Sequence, residues 1–259
     1  AMIGFGGFIT VPVGLACWIK RKPIFIHEQN AVIGTANKLL SKISKINFLG
    51  FPIKGLTKSI LSGNPIRESF IKNGENIIND ENEIRIYITG GSQGSEYINK
   101  HLPKIFTDFS NNIKIIHQCG KNNFQEVKDI YASECINAEI SEFYQNPVEQ
   151  ILWSDFVISR GGALSLSEIT SLKRGVVVIP LPTSIDNHQV ENAKSIESIE
   201  MGIMHEQKDH VSILQDKIRG IIENQTYIKW KNIENNNHIN SSKIIVKHLE
   251  NYLDKNEIL

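Results

Sequence analysis

The chain has 259 residues, of which 41% are hydrophobic and 22% are charged, values that are typical of a globular protein. Its 28 basic and 28 acidic residues balance, which argues against a protein that binds nucleic acid through its overall charge. The length allows one large domain, or one complete domain and part of another. Cys17, Cys119 and Cys135 lack metal-ligand spacing, and free thiols in a reducing cytosol are their simplest interpretation.

The first patterned segment, residues 2–19, contains no charged residue and is followed directly by Lys20, Arg21 and Lys22. About 18 apolar residues is the lower limit for a membrane span, but glycines, a proline and a threonine interrupt this segment. A glycine-rich turn and a buried helix over residues 5–20 are therefore favoured over a transmembrane helix. A signal peptide is disfavoured, because its positive charges would precede the apolar segment.

Residues 23–27 predict a buried strand and residues 34–44 predict a helix, with a polar loop between them. Glycine and proline at 50–52 and 63–65 indicate a linker, and the asparagine-rich residues 73–83 indicate a further loop. Residues 1–66 are therefore interpreted as the C-terminal part of a first domain whose front is missing.

From residue 84 onward, short apolar segments alternate with segments of helical periodicity. Continuous apolar strands separated by helices predict an α/β domain whose parallel sheet is covered on both faces. Residues 67–259 are predicted to form this complete Rossmann-like domain, ending in a helical tail at 211–223, 226–234 and 241–253. The predicted strands are 84–89, 113–117, 136–140, 156–159, 176–180 and 203–205.

Two glycine-rich loops each connect a predicted strand to a predicted helix. The first is Thr89-Gly-Gly-Ser-Gln-Gly94, and the second spans residues 159–168 and ends on Glu168. Glycines let the backbone approach a ligand, and the helix N-terminus that follows suits a phosphate. The first loop alone fits a phosphate cradle and a simple tight turn equally well. Glu168 could accept hydrogen bonds from two ribose hydroxyls, or could be a solvated helix residue.

Two polar clusters follow other predicted strands. Gln189 and Asn192 lie three residues apart on one helix face, and their amides suit sugar hydroxyls or simply begin a polar helix. Residues 27–30, with the sequence HEQN, directly follow the strand at 23–27. Four polar residues at the end of a buried strand indicate a binding or catalytic site.

Taken together, these motifs resemble the MurG family of glycosyltransferases. The family carries a similar glycine-rich segment (residues 4–16 here), followed by HEQN (27–30), GNPIR (63–67), GGSQG (90–94), GGALS-x-SE (161–168) and DxHQxxNA (186–193). Their order and spacing are similar to those of the family. The resemblance extends over almost the whole chain up to about residue 196.

The resemblance implies the GT-B architecture, in which two Rossmann-like domains face each other across a cleft. This chain would hold the complete C-terminal domain and the tail of a truncated N-terminal one. It also implies an inverting transfer of N-acetylglucosamine from UDP-GlcNAc to the C4 hydroxyl of undecaprenyl-pyrophosphoryl-N-acetylmuramoyl-pentapeptide (lipid I), which gives lipid II in peptidoglycan synthesis. The implied location is peripheral, at the cytoplasmic face of the inner membrane, with no cofactor, metal or nucleic acid.

The resemblance also assigns roles to individual residues. Glu168 would bind the ribose hydroxyls, Ser92 the phosphate, and the backbone of Tyr144 the uracil edge. Arg67 would balance the charge of the departing diphosphate. The implied substrate-binding residues are Asn30, Arg67, Ser92, Tyr144, Ala163, Leu164, Ser165, Leu166, Ser167, Glu168, Gln189 and Asn192.

The sequence departs from the family at its start. Members begin with another glycine-rich loop whose histidine is assigned to catalysis, and this sequence lacks that region. Glu28 is the remaining candidate for an acid/base or acceptor-orienting role. We therefore expect this chain to bind the donor but not to catalyse the transfer.

A membrane patch is expected near the first helix. An interfacial tryptophan with nearby cations attracts anionic lipid, although a solvated basic helix end has the same composition. The expected patch consists of Trp18, Lys20, Arg21, Lys22, Lys42 and Lys45.

Three other functions remain open. Another UDP-sugar enzyme of the same fold, such as a UDP-GlcNAc 2-epimerase or a glycolipid glycosyltransferase, is compatible with the fold alone. A non-catalytic module that binds UDP-GlcNAc is compatible with the missing N-terminal loop. An NAD-dependent dehydrogenase is disfavoured because the GxGxxG fingerprint is absent.

Overall fold

The computed structural model of the chain describes residues 1–72, 83–109, 112–235 and 237–255. Two parallel sheets organise these residues, one of four strands and one of six. Of the loop expected at 73–83, only Glu83 lies within the described residues. The α/β architecture predicted from the alternating pattern is confirmed.

The first sheet has the strand order β1-β2-β3-β4. Its two central strands are apolar on both faces, and Phe25, Ile26 and Phe48 are completely buried. This is the pattern of a parallel sheet that is covered on both faces. The elements of this part of the chain are β1 (Met2–Gly4), α1 (Thr10–Ile19), β2 (Ile24–Glu28), α2 (Thr35–Leu40), β3 (Ile46–Leu49) and β4 (Ser59–Leu61).

The N-terminal segment differs from the prediction of one turn and one buried helix. Strand β1 precedes the turn, and Gly6 and Gly7 have positive φ values of 88° and 79°, so α1 begins only at Thr10. Helix α1 buries only Thr10 and Gly14 and leaves most of its apolar side chains exposed. Among the described residues, no helix combines the length and the apolar character needed to cross a bilayer.

Strands β3 and β4 are absent from the prediction, which ends a helix at residue 44, assigns no element to β3 and places a linker over β4. Each has only three or four residues, too few for a period-2 pattern to stand out between polar neighbours. Their pairing is a tertiary property, because β3 lies in parallel between β2 and β4. The predicted linker therefore contains the last strand of the first sheet.

The second sheet has the strand order β10-β9-β8-β5-β6-β7, and all six predicted strands are present in it. Cys17, Cys119 and Cys135 are free thiols, as expected. The elements are α3 (Glu68–Lys72), β5 (Ile84–Thr89), α4 (Glu96–Ile105), β6 (Ile113–Gln118), α5 (Phe124–Ser133), β7 (Ala138–Ser141), α6 (Val148–Trp153), β8 (Phe156–Ser159), α7 (Ala163–Ser171), β9 (Gly175–Val178), α8 (His188–Ser198), β10 (Gly202–Met204), α9 (Val211–Glu223), α10 (Thr226–Lys231) and α11 (Asn237–Lys255).

Alternate residues of the central strands build two separate cores. Phe156 and Ile158 of β8 face a cluster formed with helices α4, α5, α9 and α10. Val157 of the same strand faces a second cluster formed with α6, α7 and α8. Because side chains along a strand alternate between faces, this division requires helices on both sides of the sheet. The doubly covered sheet predicted from the sequence is confirmed.

The last helix packs its apolar face on the first sheet, and it also contacts α7. Ile245 of α11 is buried against Phe25 and Phe48, and the rings of Phe25 and Tyr252 meet edge to face at 5.3 Å. The prediction includes this helix in a C-terminal unit beginning at residue 67. The helical periodicity indicates a buried face, but it carries no information about which sheet covers that face.

Candidate functional site

A cleft of about 140 Å³ lies at the carboxyl ends of strands β5 and β6. Ligands of open parallel sheets bind at this edge, where helix N-termini and loops converge. The sequence-predicted residues Arg67, Ser92, Tyr144, Ser165 and Glu168 all line this cleft. The structure therefore brings together residues from three separate motifs and Tyr144 at one place.

The first glycine-rich loop forms one wall of the cleft. Gly91 and Gly94 have positive φ values of 81° and 74°, which favour glycine. Gly94 also lies directly against Gly120 of the loop after β6, so neither position has space for a side chain. Ser95 caps α4 by accepting a hydrogen bond from the N–H of Ile98. This packing holds the exposed Ser92 beside the positive end of α4.

The second glycine-rich loop presents the N-terminus of α7. Gly161 packs against the backbone of Gln189, where an added Cβ would lie 2.5 Å from the carbonyl oxygen. Ala163, Leu164 and Ser165 occupy the first turn of the helix, whose N–H groups have no intrahelical acceptor. These N–H groups suit an anion.

Of the predicted run from Ala163 to Glu168, only Ser165 and Glu168 line the cleft. Leu164 and Ser165 are exposed, whereas Leu166 and Ser167 are completely buried. The hydroxyl of Ser167 donates to the carbonyl of Ala163 and accepts from Asn64 Nδ2 at 2.9 Å. The expectation that Leu166 and Ser167 contact a ligand is therefore wrong for their side chains, because the helical period turns them into the core.

Glu168 and Arg67 bind each other. Arg67 Nε donates to Glu168 Oε1 at 2.7 Å and Arg67 Nη2 donates to Oε2 at 2.8 Å, a bidentate pair. Arg67 Nη1 also donates to the carbonyl of Gln145. The hydrogen bonds to Glu168 raise the pKa of Arg67 above its ordinary value. Arg67 is expected to bind the diphosphate and Glu168 the ribose. In this structure the two side chains bind each other, so this ion pair must open before either can contact a donor.

Gln118 is a residue of the cleft that the sequence analysis missed. It is 3% exposed and lines the same cavity as Glu168. Its Oε1 accepts from the N–H of Tyr144, the residue whose backbone is expected to read uracil. The available signal was its position: it directly follows the predicted strand 113–117 and precedes Gly120 by two residues, as Ser159 precedes Gly161.

Residues that bind a sugar are expected to be exposed, but Gln189 is only half-exposed and Asn192 is buried. Gln189 Oε1 accepts from the N–H groups of Gly161 and Leu181, and its Nε2 has no partner among the described residues. Asn192 is completely buried, so its expected contact with a sugar hydroxyl is wrong in this structure. Its amide joins the two domains, accepting from the N–H of Ala31 and donating to Gly161 and Asn30.

Glu28 is not a free acid or base in the structure. It is 3% exposed, and its carboxylate accepts four hydrogen bonds: two from Asn30 and one each from Gly34 and Asn37. A carboxylate with four donors has its lone pairs occupied. In this structure Glu28 shapes the loop between β2 and α2, and its acid/base or acceptor-orienting role stays a prediction. Asn30 belongs to the same network and is half-buried.

A larger cavity of about 720 Å³ adjoins this loop. Its lining is mainly apolar and includes Phe5, Phe8 and Leu39, with Asn30 at its edge and Asp186 from the second domain. The residues expected to contact a membrane lie elsewhere, at the amino ends of β2 and β3. Trp18, Arg21, Lys22 and Lys45 line one cavity with Tyr252, while Lys20 and Lys42 are exposed outside that lining.

Two family models match the chain. The glycosyltransferase family 28 C-terminal domain matches residues 85–249, and the glycosyltransferase family 28 N-terminal domain matches residues 1–48. The second match covers the four-stranded sheet up to β3, and the first covers the complete six-stranded sheet.

Curated relatives carry the name UDP-N-acetylglucosamine–N-acetylmuramyl-(pentapeptide) pyrophosphoryl-undecaprenol N-acetylglucosamine transferase. The relative from Psychromonas ingrahamii is 34% identical over 230 residues, covering 86% of this chain and 64% of the relative. The relative from Buchnera aphidicola is 34% identical over 257 residues, covering 96% of this chain and 72% of the relative. The chain thus spans roughly two thirds of the length of these proteins.

Solved structures agree with this relationship. The crystal structure of MurG from Acinetobacter baumannii superposes with a TM-score of 0.84 at 26% identity, covering 97% of this chain and 74% of that one. The UDP-GlcNAc 2-epimerase of Neisseria meningitidis, solved with bound UDP-GlcNAc, has a TM-score of 0.65 at 17% identity over 96% of this chain and 75% of that one, which shows a shared fold. The chain therefore belongs to the MurG family within glycosyltransferase family 28 and has its GT-B fold.

Proposed function

We propose that the cleft at the carboxyl ends of β5 and β6 binds UDP-GlcNAc as a glycosyl donor. The observation that carries this proposal is the convergence of two glycine-lined helix N-termini with Glu168 in one cavity. The N-termini of α4 and α7 offer N–H groups to a diphosphate, and Glu168 offers two acceptors to ribose hydroxyls. Gln189 Nε2 remains as a donor for the sugar.

The curated relatives are named as N-acetylglucosamine transferases that act on N-acetylmuramyl-(pentapeptide) pyrophosphoryl-undecaprenol. The reaction proposed for this chain is the same transfer, placed on the C4 hydroxyl of lipid I, with inversion, giving lipid II. The residues of this chain stabilise the departing diphosphate through the two helix N-termini and, once released from Glu168, through Arg67. The apolar cavity of about 720 Å³ beside Phe5 and Phe8 lies next to Asn30 and suits the acceptor side of the cleft.

The carboxylate of Glu28 has no part in this proposal as a base, because four donors already occupy it. A second candidate function, UDP-GlcNAc 2-epimerisation, is supported only by a fold that the two activities share. A lipid acceptor separates the two functions, since only a transferase joins the sugar to it.

Calorimetric titration of the chain with UDP-GlcNAc, UDP-glucose and GDP-mannose tests the donor site. We expect UDP-GlcNAc to bind more tightly than UDP-glucose, and GDP-mannose not to bind, because the backbone near Tyr144 offers a fixed pattern of donors and acceptors to the base. A folded chain, by circular dichroism, that binds none of the three would refute the donor assignment. Incubation with lipid I and mass analysis of the lipid product tests the transfer step separately.

We further propose that the face around α1 docks on an anionic membrane surface from the cytoplasmic side. Along α1, Val13, Trp18 and Ile19 are 46%, 57% and 75% exposed. Lys20, Arg21 and Lys22 follow these apolar side chains directly. Apolar and aromatic groups flanked by cations suit the headgroup region of an anionic bilayer.

Reversing two charges of this face is expected to weaken binding to vesicles. Each cation near an anionic surface contributes about 1 kcal/mol, so Arg21→Glu with Lys22→Glu should lower partitioning onto phosphatidylglycerol vesicles at least tenfold. Lys100→Glu with Lys104→Glu, an exposed pair on α4, is the matched control and should bind like the wild type. If both double variants lost vesicle binding equally, only net charge would matter and the proposed docking face would be contradicted.

A further inference from the structure

Gln118 occupies the end of strand β6, between two loops of the proposed donor site. It is 3% exposed, and its neighbour His117 faces the opposite side of the sheet, where it contacts Tyr131 and Asn99. Both residues are buried on one strand, but only Gln118 lines the cleft.

All the hydrogen-bonding groups of the Gln118 amide are engaged. Oε1 accepts from the N–H of Tyr144 at 3.1 Å and from the hydroxyl of Tyr87 at 3.2 Å. Nε2 donates to Thr89 Oγ1 at 3.1 Å and to the carbonyl of Gly91 at 3.2 Å. The orientation of the amide is unambiguous, because a backbone N–H only donates and a carbonyl only accepts.

Each half of the amide thus serves a different loop. The oxygen holds the segment at Tyr144, which is proposed to read the base, and the nitrogen holds the loop of Thr89 and Gly91, which is proposed to bind the diphosphate. Thr89 Oγ1 also accepts from the N–H of Gly91, so the loop has an internal hydrogen bond in addition to those from Gln118. One buried side chain therefore sets the distance between the two loops.

We propose that Gln118 is a positioning residue that makes the site selective for uridine diphosphates. This inference rests on the proposed donor site. A nucleoside diphosphate spans both loops, so its base and its phosphates bind together only when the loops are correctly spaced. Uracil offers N3–H as a donor and O4 as an acceptor, whereas cytosine presents the reverse pattern at these positions. Backbone groups distinguish the two bases only when they are held in place.

The two halves of the amide can be removed separately. Gln118→Leu removes both halves, and Gln118→Glu keeps acceptors for Tyr144 and Tyr87 but removes the donor to Thr89 and Gly91. His117→Leu introduces the same new side chain at the neighbouring buried position outside the cleft. Calorimetry with UDP, CDP and UMP, together with urea unfolding, measures base selectivity, phosphate recognition and stability for each variant.

We expect Gln118→Leu to lower the preference for UDP over CDP at least tenfold. Gln118→Glu should keep most of that preference while the preference for UDP over UMP falls, because only the phosphate loop loses its donor. His117→Leu should lower stability and leave both ratios unchanged. A purely structural role would lower all affinities together and would leave the ratios as in the wild type.

Folded Gln118 variants with wild-type ratios would overturn the positioning role while leaving the donor site intact. A wild-type chain that does not prefer UDP over CDP would overturn the proposed donor site, and the role of Gln118 with it. Should Gln118→Leu not fold, the UDP to UMP ratio of Gln118→Glu decides the question.

Discussion

Replacing Glu168 by alanine is expected to weaken UDP binding about 100-fold. A hydrogen bond to a charged group contributes roughly 1.5–3 kcal/mol, and the loss of two such bonds to ribose hydroxyls, partly offset by release of Arg67, leaves about 3 kcal/mol. The structure supports this role because Glu168 lies in the cleft, in the second turn of α7. Its carboxylate already accepts two hydrogen bonds from Arg67 there.

A ligand without the hydroxyls separates this role from a general loss of structure. Wild-type chain should bind 2′,3′-dideoxy-UDP about as weakly as Glu168→Ala binds UDP, and the variant should not distinguish the two ligands. Glu126→Ala, at an exposed glutamate of α5, should bind both ligands like the wild type. If Glu168→Ala still preferred UDP over the dideoxy ligand by the wild-type factor, the ribose assignment would be wrong.

The second large effect is expected in how the free energy of unfolding falls at acid pH. It arises where α11 contacts the linker that joins the two sheets. His238 of α11 accepts from the N–H of Asn64 through Nδ1 at 2.9 Å, and His27 Nε2 contacts the carbonyl of Gly63 at 3.0 Å. Burial, together with the nearby His27, lowers the pKa of His238 to about 4. Burial also lowers the pKa of His27. Neutral His238 is therefore required for the acceptor role.

The sign of the pH dependence follows from this lowered pKa. His238 binds a proton more readily in the unfolded chain, at about 6.5, than in the folded one, so its contribution is complete above pH 6.5 and is lost as the pH falls towards 4. A difference of about 2.5 pKa units corresponds to roughly 3 kcal/mol. We expect urea unfolding of the wild type to show a loss of at least this size between pH 7.5 and pH 4, because the buried His27 and His117 add to it.

His238→Asn tests the assignment. Asparagine places an amide oxygen near the position of Nδ1 and does not titrate, so the variant should match the wild type within about 1 kcal/mol at pH 7.5. Its loss on acidification should be smaller by about 3 kcal/mol, and the remaining loss belongs to His27, His117 and the other titrating groups. Identical pH profiles for the two proteins would show that His238 does not drive acid unfolding.

The paired state of Arg67 and Glu168 bears on how a donor enters. Both residues lie in the cleft, and each is the other's partner through two hydrogen bonds. Ribose hydroxyls therefore compete with a guanidinium for the same carboxylate oxygens. Displacement of Arg67 places its charge beside the incoming diphosphate, so the two recognition events are coupled through one ion pair.

The sequence by itself determined the class of the second sheet and the position of its site. Its strands are continuous apolar segments because both faces are covered, and such segments stand out between helical periods. The two glycine-rich loops were visible for a similar reason: Gly94 and Gly161 allow backbone contacts that side chains would prevent. These are local properties, so each is recorded in a few consecutive residues.

Only the tertiary structure decided which polar side chains line the cleft and which are buried away from it. Glu28 and Asn192 have the composition of a site, but donors and acceptors elsewhere in the chain occupy them, for Asn192 at a separation of 161 residues. Gln118 has no distinctive motif and yet joins the two loops of the cleft. The sheet that covers α11 was likewise settled by packing. A hydrogen bond or an apolar contact between distant residues depends on three-dimensional proximity, which residue type and spacing do not encode locally.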